Sequence, residues 1–65
     1  KWEERLATLH AAKGFLTDHF EYEASGYGYD TAAVDRVAAA ISTKTGDPIT
    51  EVLDAARERA RRRRR

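Results

Sequence analysis

The chain contains no cysteine, which excludes disulfides and thiolate metal sites as staples for the fold and leaves the redox compartment open. No apolar run approaches the roughly 18 residues of a membrane span, and the N-terminal residues lack the basic, apolar, small-residue order of a secretory signal. A soluble, cytoplasmic protein with no membrane partner is the expectation. Internal repeats are missing too, and the one low-complexity segment is the terminal arginine run. The equipment of catalysis is equally scarce: no nucleophile with its base, no tuned carboxylate pair and no phosphate-cradling glycine loop occurs at a recognisable spacing. The chain therefore reads as no enzyme, with no cofactor expected. His10 and His19 lie nine residues apart, whereas two imidazoles share a helix face at a spacing of three or four, so no metal site is expected. His19 reads as a core-edge residue and His10 as a surface one.

What is present is charge, unevenly divided. The net charge of +1 conceals five positive side chains against ten carboxylates in residues 1–56, a net −5. Residues 57–65 carry seven arginines and Glu58, a net +6. The two parts attract different partners. At 65 residues the chain is one domain that buries only roughly 60% of its unfolded surface, and oligomerisation is the natural supplement to so small a core.

Apolar periodicity predicts a mainly α, small three-helix domain over residues 1–60, followed by a basic arginine tail over 61–65. Trp2, Leu6, Leu9, Leu16 and Phe20, flanked by Ala12, Phe15 and His19, mark one stripe of a first helix. Gly14 inside it implies either a close neighbour or a break after Lys13; an unbroken helix is preferred. Asp30 or Thr31 caps a second helix whose face is Val34, Val37, Ala38 and Ile41, ending near Lys44 at Thr45-Gly46. Asp47-Pro48 restarts the chain, Asp47 as cap and Pro48 at the first helical position. Ile49, Val52, Leu53, Ala56 and Ala60 then form the stripe of a third helix. Past Ala60 nothing apolar remains, and the helix is expected to fray there.

The stretch FEYEASGYGYD supports two descriptions. Phe20, Tyr22 and Ala24 alternate with Glu21 and Glu23, and Tyr27 and Tyr29 alternate beyond Ser25-Gly26, which sketches a short tyrosine-rich strand or hairpin between the first two helices. Alternatively the first helix runs to about Glu23 and is capped by Gly26 in a left-handed conformation, with a tyrosine-bearing loop after it. Gly26-Tyr27-Gly28 lacks the third glycine and the preceding strand of a nucleotide loop. Tyr22, Tyr27 and Tyr29 are candidates for contact with a protein partner or a base, or else for closing the small core.

Arg57, Arg59, Arg61, Arg62, Arg63, Arg64 and Arg65 are the candidate nucleic-acid contacts, since the guanidinium fork matches phosphate; an acidic protein surface is the other partner they suit, and an unselected disordered tail is the alternative. The segment DRVAAAISTKTGDPITEVLDAAR, through Ile41, Thr45, Gly46, Ile49, Thr50, Glu51, Val52, Leu53 and Ala56, resembles the helix–turn–helix half of ribbon-helix-helix proteins of the antitoxin-type repressors over residues 34–57. The resemblance implies an intertwined homodimer, with Val34, Val37, Ile41, Ile49, Val52 and Leu53 as dimer and core residues and a DNA-reading ribbon near Tyr27-Gly28-Tyr29. Departures accompany it: the ribbon segment offers no Arg, Lys, Asn or Gln to base edges, Glu21, Glu23 and Asp30 would repel phosphate, and Asp47 with Pro48 spoils the phosphate-gripping helix start. Two functions follow as expectations. The first is a small dimeric nucleic-acid-binding regulator. The second is a protein-protein interaction module, a helical adaptor with an acidic body, or else a designed helical domain without a natural ligand.

Overall fold

Thr8 starts the first helix. Its backbone is extended, and its Oγ1 accepts the N–H of Ala11 at 3.2 Å, partnering one of the donors a helix start leaves over. The computed structural model describes residues 8–63, within which α1 spans Leu9–Glu23, α2 Thr31–Thr45 and α3 Ile49–Arg63. α1 begins at Leu9 because the extended Thr8 caps it in place of a continuing helical turn, and the part of the expected first helix from Trp2 to Ala7, Leu6 included, lies outside the described residues.

The end of α1 decides between the two descriptions of the tyrosine segment. Gly26 takes φ 84, its N–H donates to the Glu23 carbonyl at 3.0 Å, and the Tyr27 N–H donates to the Tyr22 carbonyl at 3.1 Å. These are the two bonds of a Schellman ending, which glycine accommodates without strain. The tyrosine-rich strand or hairpin is therefore corrected: no strand occurs among the described residues, and residues 27–30 form a loop. The backbone groups that a hairpin needs are used by the cap, and a hairpin this short has little else to hold it.

Asp30 caps α2, its Oδ1 accepting the Ala32 N–H at 2.9 Å. Gly46, at φ 81, closes α2 by donating to the Ser42 carbonyl at 2.8 Å. The turn is then stitched by the Ser42 hydroxyl donating to the Asp47 carbonyl at 2.6 Å and the Asp47 N–H donating to Thr45 Oγ1 at 3.2 Å. Pro48 stands just ahead of α3 and its carbonyl accepts the Val52 N–H at 3.1 Å, so its missing N–H costs the helix no bond.

Each helix packs on the other two, α1 on α3 most extensively. Ala12 and Leu16 of α1, Val34, Val37, Ala38 and Ile41 of α2, and Val52 and Ala56 of α3 form one buried cluster, with Leu9, Phe15, Phe20 and Leu53 packed at its edge. Val52, Ala56 and Ala60 recur every four residues along α3 and are all buried, and the short alanine side chains let α3 approach its neighbours closely. Four of the six residues expected to serve both core and dimer, Val34, Val37, Ile41 and Val52, are thus buried inside a single chain. Leu53 is half-buried against the same cluster. Ile49 stays 44% exposed. The stripes offered to a partner copy are spent closing one chain's own core, and the expected homodimer draws no support from them. Gly14 sits in unbroken helix, and a Cβ there would meet nothing within 4 Å; neither a break nor a close neighbour explains it. No helix among the described residues is long and apolar enough to cross a membrane.

Candidate nucleic-acid interface

The arginine segment is not a loose tail as far as Arg63. α3 continues three residues beyond Ala60, although fraying was expected there, and charged contacts replace the apolar ones that run out. Arg63 reaches across to α1, its NH1 lying 2.7 Å from Asp18 Oδ1. Within the helix, Glu58 pairs with Arg61 one turn on and with the Nε of Arg62 at 3.5 Å, at spacings where helix neighbours meet. Glu51 in the first turn and Arg61, Arg62 and Arg63 in the last also complement the helix dipole, an effect of about 0.3–1 kcal/mol per charge. The hydrogen bond from Arg61 lowers the pKa of the Glu58 carboxyl, and although desolvation opposes it, the positive charges of Arg61 and Arg62 keep the net shift downward. Arg64 and Arg65 lie outside the described residues.

The arginines that look alike in the sequence are divided by the fold. Arg59 turns inward: its Nε donates to Thr17 Oγ1 at 2.9 Å and its NH2 to the Lys13 carbonyl at 3.4 Å. Thr17 is 1% exposed and its own hydroxyl donates to the Lys13 carbonyl at 2.9 Å. Burial lowers the pKa of Arg59, and neighbouring Arg63 adds to the effect; a guanidinium so shifted still carries its charge at neutral pH. Arg57 lies over the ring of Phe20, 4.7 Å from the centroid, and pairs with Asp54 at 3.0 Å. The side chains of Arg57, Arg61, Arg62 and Arg63 are 49% to 70% exposed. Between the end of α1 and the last turns of α3 lies an open cleft of about 320 Å³, lined by Phe20, Glu23, Ala24, Arg57 and Arg61.

The three tyrosines also separate. Tyr29 stacks on Phe15, with ring centroids 4.3 Å apart, and its N–H donates to His19 Nδ1 at 2.9 Å. Tyr22 and Tyr27 face outward, at 52% and 75% exposed. His19 is 7% exposed and uses both ring nitrogens, Nδ1 as acceptor and Nε2 toward Glu23 Oε2 at 3.3 Å. It is the residue that ties the tyrosine loop to α1, a role its core-edge position alone did not disclose. Gly28 carried the signal, since a Cβ there would stand 3.2 Å from the imidazole. His10 is exposed, and no group of three or more His, Asp or Glu side chains among the described residues is placed to hold a metal ion.

No family model matches the chain, and no curated protein or solved structure shows significant similarity to it.

Proposed function

We propose that this chain is a small, non-enzymatic nucleic-acid-binding regulator that grips the phosphate backbone through the outward arginines of α3: Arg57, Arg61, Arg62 and Arg63, continued by Arg64 and Arg65. The observation that carries this is the persistence of helix through Arg63 with those side chains exposed, which presents several planar forks on one stem at little further ordering cost. Their ion pairs with Asp54, Glu58 and Asp18 are no obstacle, because exposed pairs contribute only about 0–1 kcal/mol each and phosphate can displace them. Glu21, Glu23 and Asp30, at the end of α1 and in its loop, repel an anionic polymer from that surface and leave the exposed arginine side of α3 to it, with Glu23 at the border. Arg59 takes no part, being engaged by Thr17 and Lys13. Contacts of this kind position a protein on the backbone and do not read bases.

The test is fluorescence anisotropy of a labelled duplex across a salt series, with the full chain and with a variant carrying serine at 61–65. Each neutralised phosphate adds about −0.9 to the slope of log affinity against log salt, so the variant's slope should be flatter by about 3 to 5. Equal slopes would remove these arginines from the interface. If neither chain bound at moderate salt, the role of protein-interaction module would take precedence. That role is favoured by outward Tyr22 and Tyr27, which lie among Glu21, Glu23 and Asp30, as tyrosines suit the buried anchors of such interfaces.

A further inference from the structure

The cleft between α1 and α3 sets a braced planar cation beside an exposed carboxylate. Arg57 is braced from beneath by the Phe20 ring at 4.7 Å and at one terminal nitrogen by Asp54 at 3.0 Å, yet its side chain is 56% exposed. Arg61, one turn further along α3, lines the same cleft, and so does Glu23, whose carboxylate is steadied by His19 Nε2 at 3.3 Å. A guanidinium carries five donors, of which Asp54 and Glu58 engage one terminal nitrogen each on Arg57 and Arg61.

We infer that this cleft receives an unpaired nucleobase, stacked on the Arg57 guanidinium, with the adjoining phosphate on Arg61 and an exocyclic amino group donating to Glu23. The inference rests on the proposed nucleic-acid role and narrows its ligand to single strands. Guanidinium planes and aromatic faces are the surfaces on which unstacked bases settle. A base inside a duplex has both faces covered by its neighbours and cannot enter. Glu23 adds a preference: an ionised carboxylate only accepts hydrogen bonds, and cytosine, adenine and guanine present an exocyclic amino donor, whereas thymine presents only its ring N3–H, set between two carbonyl oxygens that repel the carboxylate. The carboxylate that weakens backbone binding elsewhere on α1 thus acquires a use at this spot.

The experiment compares anisotropy titrations of oligodeoxycytidylate, oligodeoxythymidylate and a duplex with the full chain, with Arg57→Lys and with Glu23→Gln. Both replaced side chains are exposed, and lysine keeps the charge while removing the plane. One stacked base corresponds to roughly a five- to 150-fold effect on affinity, and the open cleft belongs near the low end. Arg57→Lys should therefore weaken single-strand binding about tenfold, while the duplex, for which Arg57 is one of several backbone cations, should lose much less and keep its salt slope because lysine keeps the charge. Glu23→Gln should bring the cytidylate and thymidylate affinities together. If the full chain bound duplex with the expected salt slope but Arg57→Lys left single-strand affinity intact, or if thymidylate bound as tightly as cytidylate, the cleft would not be a base site although the backbone role stood. If it bound neither single strand nor duplex, both would fall.

Discussion

Replacing Arg59 by alanine separates the arginine that builds the fold from those that face outward. Its Nε hydrogen bond to Thr17, at 2.9 Å, is the short contact of the pair, and its NH2 bond to the Lys13 carbonyl is longer at 3.4 Å. A hydrogen bond to a charged group contributes about 1.5–3 kcal/mol. Two effects place Arg59 toward the lower part. The Thr17 hydroxyl keeps its own donation to Lys13, so no buried donor is orphaned, and desolvation of the guanidinium already offsets part of the gain. A loss of about 1–2 kcal/mol follows. In a domain this small that corresponds to a fall in Tm of about 4–16 °C. Arg62→Ala is the companion variant: its side chain is 70% exposed and it shares Glu58 with Arg61, so its stability should stay within about 0.5 kcal/mol of the parent. Thermal melts followed by circular dichroism give the first comparison. In duplex titrations Arg62→Ala should flatten the salt slope by about 0.9 while Arg59→Ala leaves it alone. If the two variants melted together, or if Arg59→Ala flattened the slope as Arg62→Ala does, the division of inward from outward arginines would be wrong.

Gly14→Ala should raise stability by about 0.5–1 kcal/mol, because the new methyl meets no atom in helical backbone and alanine has less freedom to lose; a lowered Tm would contradict the open surroundings of that position. His19→Leu keeps the apolar contacts but removes the acceptor of the Tyr29 N–H, at a cost of about 1–2 kcal/mol. Amide exchange at Tyr29 should accelerate while the α2 and α3 amides stay protected, and unchanged protection at Tyr29 would take the imidazole out of the loop's anchoring. The lowered carboxyl pKa of Glu58, caused first by the Arg61 hydrogen bond, has a definite sign in stability. A group whose folded value lies below its unfolded one stabilises the fold above the unfolded value, and the gain is lost as pH falls through the folded value. The Tm advantage of the parent over Glu58→Gln should accordingly be present at neutral pH and shrink in acid below the ordinary glutamate range. An advantage that persisted unchanged in strong acid would assign it to something other than the ionised carboxylate.

α2 and α3 were legible in the amino-acid sequence because their signals are local: the Asp30 side chain reaches a donor two residues on, Gly46 supplies a left-handed stop, and Val34, Val37 and Ile41 repeat at helical spacing. The tyrosine segment was ambiguous for an equally local reason, since Phe20 to Tyr29 satisfies a two-residue alternation as well as a capped helix end. The Gly26 cap, together with Tyr29 packed on Phe15 and bonded to His19 ten residues back, resolved it. Composition announced seven arginines after Asp54 but treated them as equivalent. Their division depends on partners 42 to 46 residues distant, Thr17, Asp18 and Lys13, which no pattern within α3 contains. The same limit governed self-association: an apolar stripe declares that a face must leave water, but the cover is chosen by geometry, and here α1 and α3 cover the α2 stripe. Sequence by itself therefore determined the bounds of α2 and the turn into α3, because capping and periodicity act over a few residues; only tertiary structure decided how α1 ends, how far α3 runs, and which arginines hold the fold and which face outward, because those contacts join segments far apart in the chain.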